Sequence, residues 1–299
     1  MLDAKQLDAL AAVIETGSFG AAAQTLSLSL AAVSLRIKSL EDALGQRLLV
    51  RGKKVAATPA GRALLGHVRQ VRLMEADLRG GLQGGDPAQA ARLQSLSVAV
   101  NADSLSSWFL PGVAPALRQH RLLLDIVVDD QDHTHDALKN GDVTGCVTTL
   151  AQAMRGCVAE PLGTMRYRCM AAPGLMAQWS AALPHGMLHS PAVIFNRKDA
   201  LQDAFQARHF GLRNPLYPRH FVPSVDAFEM ALELGMGWGM VPDLLLARRS
   251  QRPALQEVLP GRSIEVVLYW QRWTHESLAA QRLTQAVKDA AHHQLLQPP

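Results

Sequence analysis

The chain has 299 residues, 48% of them hydrophobic and 19% charged, the balance of a soluble globular protein with length for roughly two or three domains. No apolar run approaches the ~20 residues that a membrane span needs. The start Met1-Leu2-Asp3-Ala4-Lys5 lacks the charged head and apolar stretch of a signal peptide, so a cytoplasmic protein is expected. The formal net charge of +4 is spread unevenly. Residues 30–72 hold Arg36, Lys38, Arg47, Arg51, Lys53, Lys54, Arg62, Arg69 and Arg72 against Glu41 and Asp42, while residues 93–299 balance eighteen basic against eighteen acidic residues. A basic block on a neutral body is the electrostatic footprint of phosphate binding.

Leu7, Leu10, Ala11 and Ile14 recur at helical spacing, so a first helix is expected, stopped by Gly17. Ser18 is placed to cap a second, short helix that runs through Ala21, Ala22 and Ala23 to about Leu26, with small residues that allow a close crossing. Ser27-Leu28-Ser29 reads as a turn, and Ser29 as the N-cap of a third helix over 30–44 that Gly45 ends. Val33, Ile37, Leu40 and Leu44 form the core face of that helix, and Ala31, Ser34, Leu35 and Lys38 point the opposite way. Residues 47–50 and 55–57 read as short strands around a Gly52-Lys53 turn.

Two helices around a tight polar turn, followed by basic strands, are the layout of a winged helix-turn-helix, which places one helix in the DNA major groove. Ser29, Ala31, Ser34, Leu35, Arg36 and Lys38 are candidates for that groove, and Arg51, Lys53 and Lys54 for phosphates or the minor groove. Ala31 and Leu35 offer only apolar contact, for instance to thymine methyls, which shifts weight toward shape readout and backbone contact.

Thr58 as N-cap and Pro59 as first residue open a linker helix on which Leu64, Val68, Val71, Met74 and Leu78 make an apolar stripe. Such a stripe is covered either by a second copy of the chain or by the helix's own domain. Gly80-Gly81 and Gly84-Gly85-Asp86-Pro87 are expected to break the helix and to mark the clearest domain boundary.

Beyond Leu93, strand-like runs at 96–100, 122–128, 145–149, 167–171, 192–195, 239–241 and 264–270 alternate with helical patterns such as 104–118, 134–139, 200–208 and 227–234. That alternation predicts α/β layers with largely parallel sheets, whose ligands sit at strand C-terminal ends. Polar clusters fall there. Asp103 and Ser104 lead into a helix whose first amides can hold a carboxylate, or simply cap it. Asp129 and Asp130 suit a cationic ligand or a solvated loop, and Thr148, Thr149 and Asp226 complete the candidate set. Arg197 argues instead for an anionic ligand.

His133 and His135, two apart, are a poor metal pair, and Cys146, Cys157 and Cys169 lack metal-ligand spacing and read as reduced thiols. A Gly-rich phosphate loop, a Gly-x-Ser-x-Gly elbow and a His-Glu-x-x-His motif are all absent, so neither catalysis nor a cofactor or metal is expected.

The run Ala32-Val33-Ser34-x-x-Ile37-Lys38-x-Leu40-Glu41-x-x-Leu44-Gly45-x-x-Leu48-x-x-Arg51, with Thr58-Pro59-Ala60-Gly61 beyond it, resembles the N-terminal signature of LysR-type transcriptional regulators. The resemblance implies a winged helix-turn-helix over 1–58, a linker and dimerisation helix with its hinge over 59–85, and a two-lobed, periplasmic-binding-protein-like effector domain over 86–299. Its lobes would span about 93–161 with 265–299, and about 162–264. It also implies dimers that pair into tetramers. The family often carries Gln or Pro at Leu30, Ser at Ala31, and Gln or Arg at Leu35, so this chain departs from it where it should be most polar.

Val100-Asn101-Ala102-Asp103-Ser104-Leu105 with Trp108-Phe109-Leu110-Pro111, then Asn140-Gly141-Asp142-Val143-x-Gly145 and Leu268-Tyr269-Trp270-x-Arg272, resemble the lysine- and arginine-responsive ArgP and LysG branch of that family. The implied partners are double-stranded DNA, a basic amino acid as effector, further copies of the chain and RNA polymerase, with no membrane. The implied target is an amino-acid exporter gene. A constitutive architectural DNA binder, and a regulator sensing another small molecule, stay open as alternatives.

Overall fold

The computed structural model describes residues 2–50, 52, 54–82, 93–128, 137–138, 141–179, 183–248 and 254–297. Three helices open the chain: α1 (Ala4–Thr16), α2 (Phe19–Thr25) and α3 (Leu30–Leu44). Each has a side-chain cap, since Asp3, Ser18 and Ser29 accept hydrogen bonds from the amides of Gln6, Ala21 and Ala32. Gly45, at φ +66°, ends α3 in the left-handed conformation that glycine adopts without strain. The helices close over Leu10, Val13, Val33, Ile37, Leu40 and Leu48, and the fully buried residues that α2 adds are the small Ala22 and Ala23, which let α3 lie close against it. Strands β1 (Leu49–Val50) and β2 (Ala56–Ala57) form the wing, antiparallel with Leu49 opposite Ala57.

The inner face of α3 differs from expectation at one position. Glu41 is buried on it, while Leu44 packs half-buried against the core as expected. Glu41 Oε1 accepts the Leu48 amide at 2.8 Å and the Leu49 amide at 3.3 Å, so its carboxylate serves the backbone entering β1.

Helix α4 (Pro59–Leu82) follows, opened by Thr58, whose hydroxyl accepts the Gly61 amide. It runs through Gly80 and Gly81, where a break was expected. Glycine weakens a helix by about 1 kcal/mol per residue but keeps its amide donor, so a long preceding helix can propagate across it.

The expected stripe on α4 is divided. Val68 is buried and Leu64 half-buried against the N-terminal core, Val71 is half-buried, and Met74 and Leu78 are exposed. Thus α4 completes its own N-terminal domain along the first part of the stripe and leaves the second part outward.

The larger domain begins with β3 (Gln94–Val100), followed by one continuous helical segment: α5 (Ala102–Ser104), a π-helical turn (Leu105–Phe109) and α6 (Leu110–His120). Then come β4 (Leu122–Val128), β5 (Gly145–Thr148), the long β6 (Cys157–Ala171), α7 (Pro173–Ala177), α8 (His185–His189), β7 (Ala192–Ile194), α9 (Leu201–Phe210) and β8 (Arg219–Phe221). The chain ends with α10 (Val225–Glu233), β9 (Gly239–Pro242), α11 (Asp243–Leu246), β10 (Gln256–Glu257), β11 (Ser263–Trp273) and α12 (Leu278–Gln294). The helix expected over 134–139, with His133 and His135, lies largely outside the described residues.

The main sheet has the order β10-β6-β11-β5-β3-β4, with β9 also on β6. It is mixed, not largely parallel as the alternating pattern suggested. β3 is parallel to β4 and β5, and β7 to β8, but β6 runs antiparallel to β11, β9 and β10, and β11 antiparallel to β5. The physical reason is that β6 and β11 carry the chain out to the second lobe and back, as neighbours of opposite direction. Their register shifts between Leu268 and Tyr269, beside Gly163 at φ +132°. Strands β5, β3 and β4 end this sheet, β7 and β8 form a separate two-stranded sheet, and one continuous core that includes Trp108, Phe109, Trp270, Trp238 and Phe205 joins them. All three cysteines are free thiols, and burial, with Cys157 nearby, pushes Cys146 up to about 12, leaving it inert.

Candidate functional site

The candidate DNA-facing surface comprises α3 and the wing. Ser29 is spent on its cap. Ala31, Leu35 and Lys38 are exposed on one face of α3, with Ser34 and Arg36 half-buried beside them. Leu35 is 69% exposed and Leu30 56%, so neither packs against a neighbouring helix. Lys54 is exposed at the wing, while Arg51 and Lys53 lie outside the described residues.

In the effector domain a small cleft opens where α5 meets the segment after β7, helix α10 and the β9–α11 corner. Its polar lining is Asp103, Asp199 and Glu229, its apolar lining includes Phe195, Phe228 and Met240, and no cation lines it among the described residues. Each acid is positioned locally. Asp103 sits in α5, just past the C-terminal end of β3. Asp199 follows β7 and accepts the amides of Phe195 at 3.2 Å and Leu201 at 3.0 Å. Glu229 shares the inner face of α10 with Val225 and Phe228.

Tyr167 of β6 donates its hydroxyl to Asp103 Oδ2 at 2.8 Å. Desolvation, opposed by that hydrogen bond and aided by the charges of Asp199 and Glu229, pushes the Asp103 carboxyl up to about 6. The same burial and the Asp103 charge hold the Tyr167 phenol well above its ordinary value, so it is a donor throughout the physiological range. At the start of α5, Asn101 occupies the N-cap without a side-chain hydrogen bond, and the fully buried Ser104 hydroxyl has no partner among the described residues. Arg248, after α11, donates to the Ser106 carbonyl at 3.0 Å and to that of Ser107, tying the second lobe to the first beside the cleft.

Other candidate residues fall elsewhere. Thr148 is buried with its hydroxyl accepting the Leu150 amide, Thr149 is half-buried, and neither lines the cleft. Asp226 is exposed one position off the inner face of α10. Asp129 and Asp130 lie outside the described residues. Arg197 is exposed and stacks on Phe221 at 4.6 Å, away from the cleft lining.

Asp199, Glu229 and Tyr167 were not singled out from the sequence. Asp199 follows a strand end, where the strand-end rule could have found it, and Glu229 shares a helical face with Val225 and Phe228.

A helix-turn-helix joined by one long helix to a two-lobed domain with an acid-lined cleft defines a DNA-binding regulator with a sensing domain. Residues 4–62 match the bacterial regulatory helix-turn-helix protein, lysR family, and residues 92–292 match the LysR substrate binding domain. The chain belongs to the LysR family. It is 39% identical over 277 residues, 92% of each chain, to the HTH-type transcriptional regulator ArgP of Aeromonas salmonicida. The crystal structure of ArgP from Mycobacterium tuberculosis superposes with a TM-score of 0.90 at 36% identity, covering all of both chains. Full-length LysG from Corynebacterium glutamicum, with bound effector Arg, superposes with a TM-score of 0.83 at 34% identity, covering 99% of this chain and all of that one. Among the described residues no helix is long and apolar enough to cross a membrane, and no His, Cys, Asp and Glu cluster could hold a metal.

Proposed function

We propose that this regulator senses a basic amino acid, lysine or arginine, in the cleft between its lobes. The observation that carries the reading is the lining of that cleft: three carboxylates and no cation among the described residues. An α-carboxylate fits the helix start at Ala102–Ser104, which lacks a side-chain cap, beside the Ser104 hydroxyl that has no partner among the described residues. An α-ammonium and a distal ammonium or guanidinium fit Asp103, Asp199 and Glu229, where partial desolvation strengthens charge-assisted hydrogen bonds. The bound Arg of the LysG relative supports the same ligand class.

Ligand binding is gating only if the two lobe arrangements differ in affinity for the ligand. The readout is DNA occupancy by α3 and the wing, and RNA polymerase is the downstream partner. Met74 and Leu78, exposed on α4, support pairing with a second copy through that helix, and hence a dimer or a tetramer of dimers.

The test is calorimetric titration of the full chain with L-arginine, L-lysine and L-norleucine, the last an uncharged counterpart of lysine. Arginine or lysine binds and norleucine does not, and Asp199→Asn and Glu229→Gln each weaken binding about ten-fold or more. Equal binding of norleucine would remove the pairing of these acids with a distal cation and overturn the basic-amino-acid reading. Binding of none of the three overturns the reading and favours a constitutive architectural DNA binder.

A further inference from the structure

Gly66 lies in the middle of α4, where glycine is unfavourable relative to alanine. It is buried, and it lies against Gly141 of the effector domain's first lobe. A Cβ on Gly141 would stand 1.9 Å from Gly66 Cα and 2.9 Å from Gly66 C, so the two backbones touch with no side chain between them. Gly141 itself holds φ +68°.

One turn along, Arg69 Nη1 donates to the Gly141 carbonyl at 3.4 Å and pairs with Asp142 Oδ1 at 3.1 Å. Two turns along, Leu73 packs on the effector-domain core and borders a crevice of about 260 Å³ with Thr144, Trp273 and Glu276. The neighbouring face of the same three turns belongs to the DNA-binding domain. There Leu65 and Val68 complete its core, and Arg72 pairs with Asp8 at 3.0 Å and Glu15 at 3.6 Å. At about 100° per residue, positions 65, 68 and 72 share one sector of α4 and positions 66, 69 and 73 the next.

We propose that the Gly66–Gly141 contact, latched by Arg69 and Asp142, is the joint that couples the effector domain to the DNA-binding domain within one chain. A backbone-to-backbone contact has no rotamers to absorb displacement, so movement of the first lobe either carries α4 and the reading helix with it or opens the joint. The Arg69–Asp142 pair is partly exposed and therefore weak, which suits a joint that must reopen. As a device for regulation the joint rests on the ligand-gated reading, but its first two tests need no ligand.

Gly141→Ala wedges a methyl group into α4, and Arg69→Asp breaks the latch without touching the φ of Gly141. Hydrogen exchange on the full chain is expected to rise about ten-fold at 141–144 and 273–277 in each variant, with β3 and β6 unchanged. Combining Arg69→Asp with Asp142→Arg is expected to restore protection. On a duplex recovered by selection from a random library, both single variants should change the length of the DNA footprint with no amino acid added. Unchanged exchange at 141–144, or an unchanged footprint despite raised exchange, overturns the proposal. A wild-type chain that binds neither lysine nor arginine would sink the ligand reading while leaving both of these measurements decisive.

Discussion

Tyr167 and Asp103 are joined by a 2.8 Å hydrogen bond beneath the cleft, the buried phenol on strand β6 and the carboxyl on the helical turn that follows β3. The bond holds an acid in the candidate cleft and opposes the desolvation that dominates how that acid titrates. Because desolvation has pushed Asp103 up to about 6, its contribution to stability is full below the ordinary value of 3.8 and is lost as pH rises through 6.

For a cationic ligand the sign is opposite: Asp103 gains its charge as pH rises, so affinity for L-arginine should climb between about pH 5 and 7.5. Tyr167→Phe deletes the one favourable contact to the ionised carboxyl and should move the midpoint above 6. Calorimetry across that pH range checks both, and a flat profile shared by wild type and variant counts against the assignment.

Glu41 makes the opposite case. Desolvation raises it, but the amides of Leu48 and Leu49 and the Arg47 guanidinium outweigh burial and hold it below its ordinary 4.5. Its stabilisation is therefore present above pH 4.5 and is lost as pH falls through the lowered value. Glu41→Ala should destabilise the N-terminal domain by about 2–3 kcal/mol, since it strands two buried amides. Arg47→Ala should cost under about 1 kcal/mol, because that side chain is 81% exposed. Urea unfolding at pH 7 and pH 4 separates them, and equal losses for the two variants would refute the ranking.

Leu35 stands out on α3 as a 69% exposed leucine flanked by Ala31 and Lys38. Changing it to Gln should leave stability within about 0.5 kcal/mol, since it packs on nothing within the domain. The same change should shift base preference in a randomised-duplex selection toward pairs that hydrogen-bond an amide. If the selected sequences match those of the wild type, Leu35 does not face the groove.

The local layer of this protein was legible in the chain. Caps at Ser18 and Ser29, the stop at Gly45 and the inward spacing of Val33, Ile37 and Leu40 depend only on backbone geometry and helical period, which neighbouring residues carry by themselves. The same holds for most strands, whose apolar runs reappear with shifted ends. Three features depended on tertiary structure. The direction of β6 against β11 is set by how the chain crosses between lobes, which no local pattern encodes.

The cleft brings Asp103 to Asp199 and Glu229 from a segment about a hundred residues earlier in the chain, while Asp226, equally acidic and three positions from Glu229, turns outward by a helical angle. Gly66 in sequence is merely a poor helix former. Only the arrival of Gly141 from the other domain gives its missing side chain a reason, because close packing between two backbones is a property of the pair and not of either residue alone.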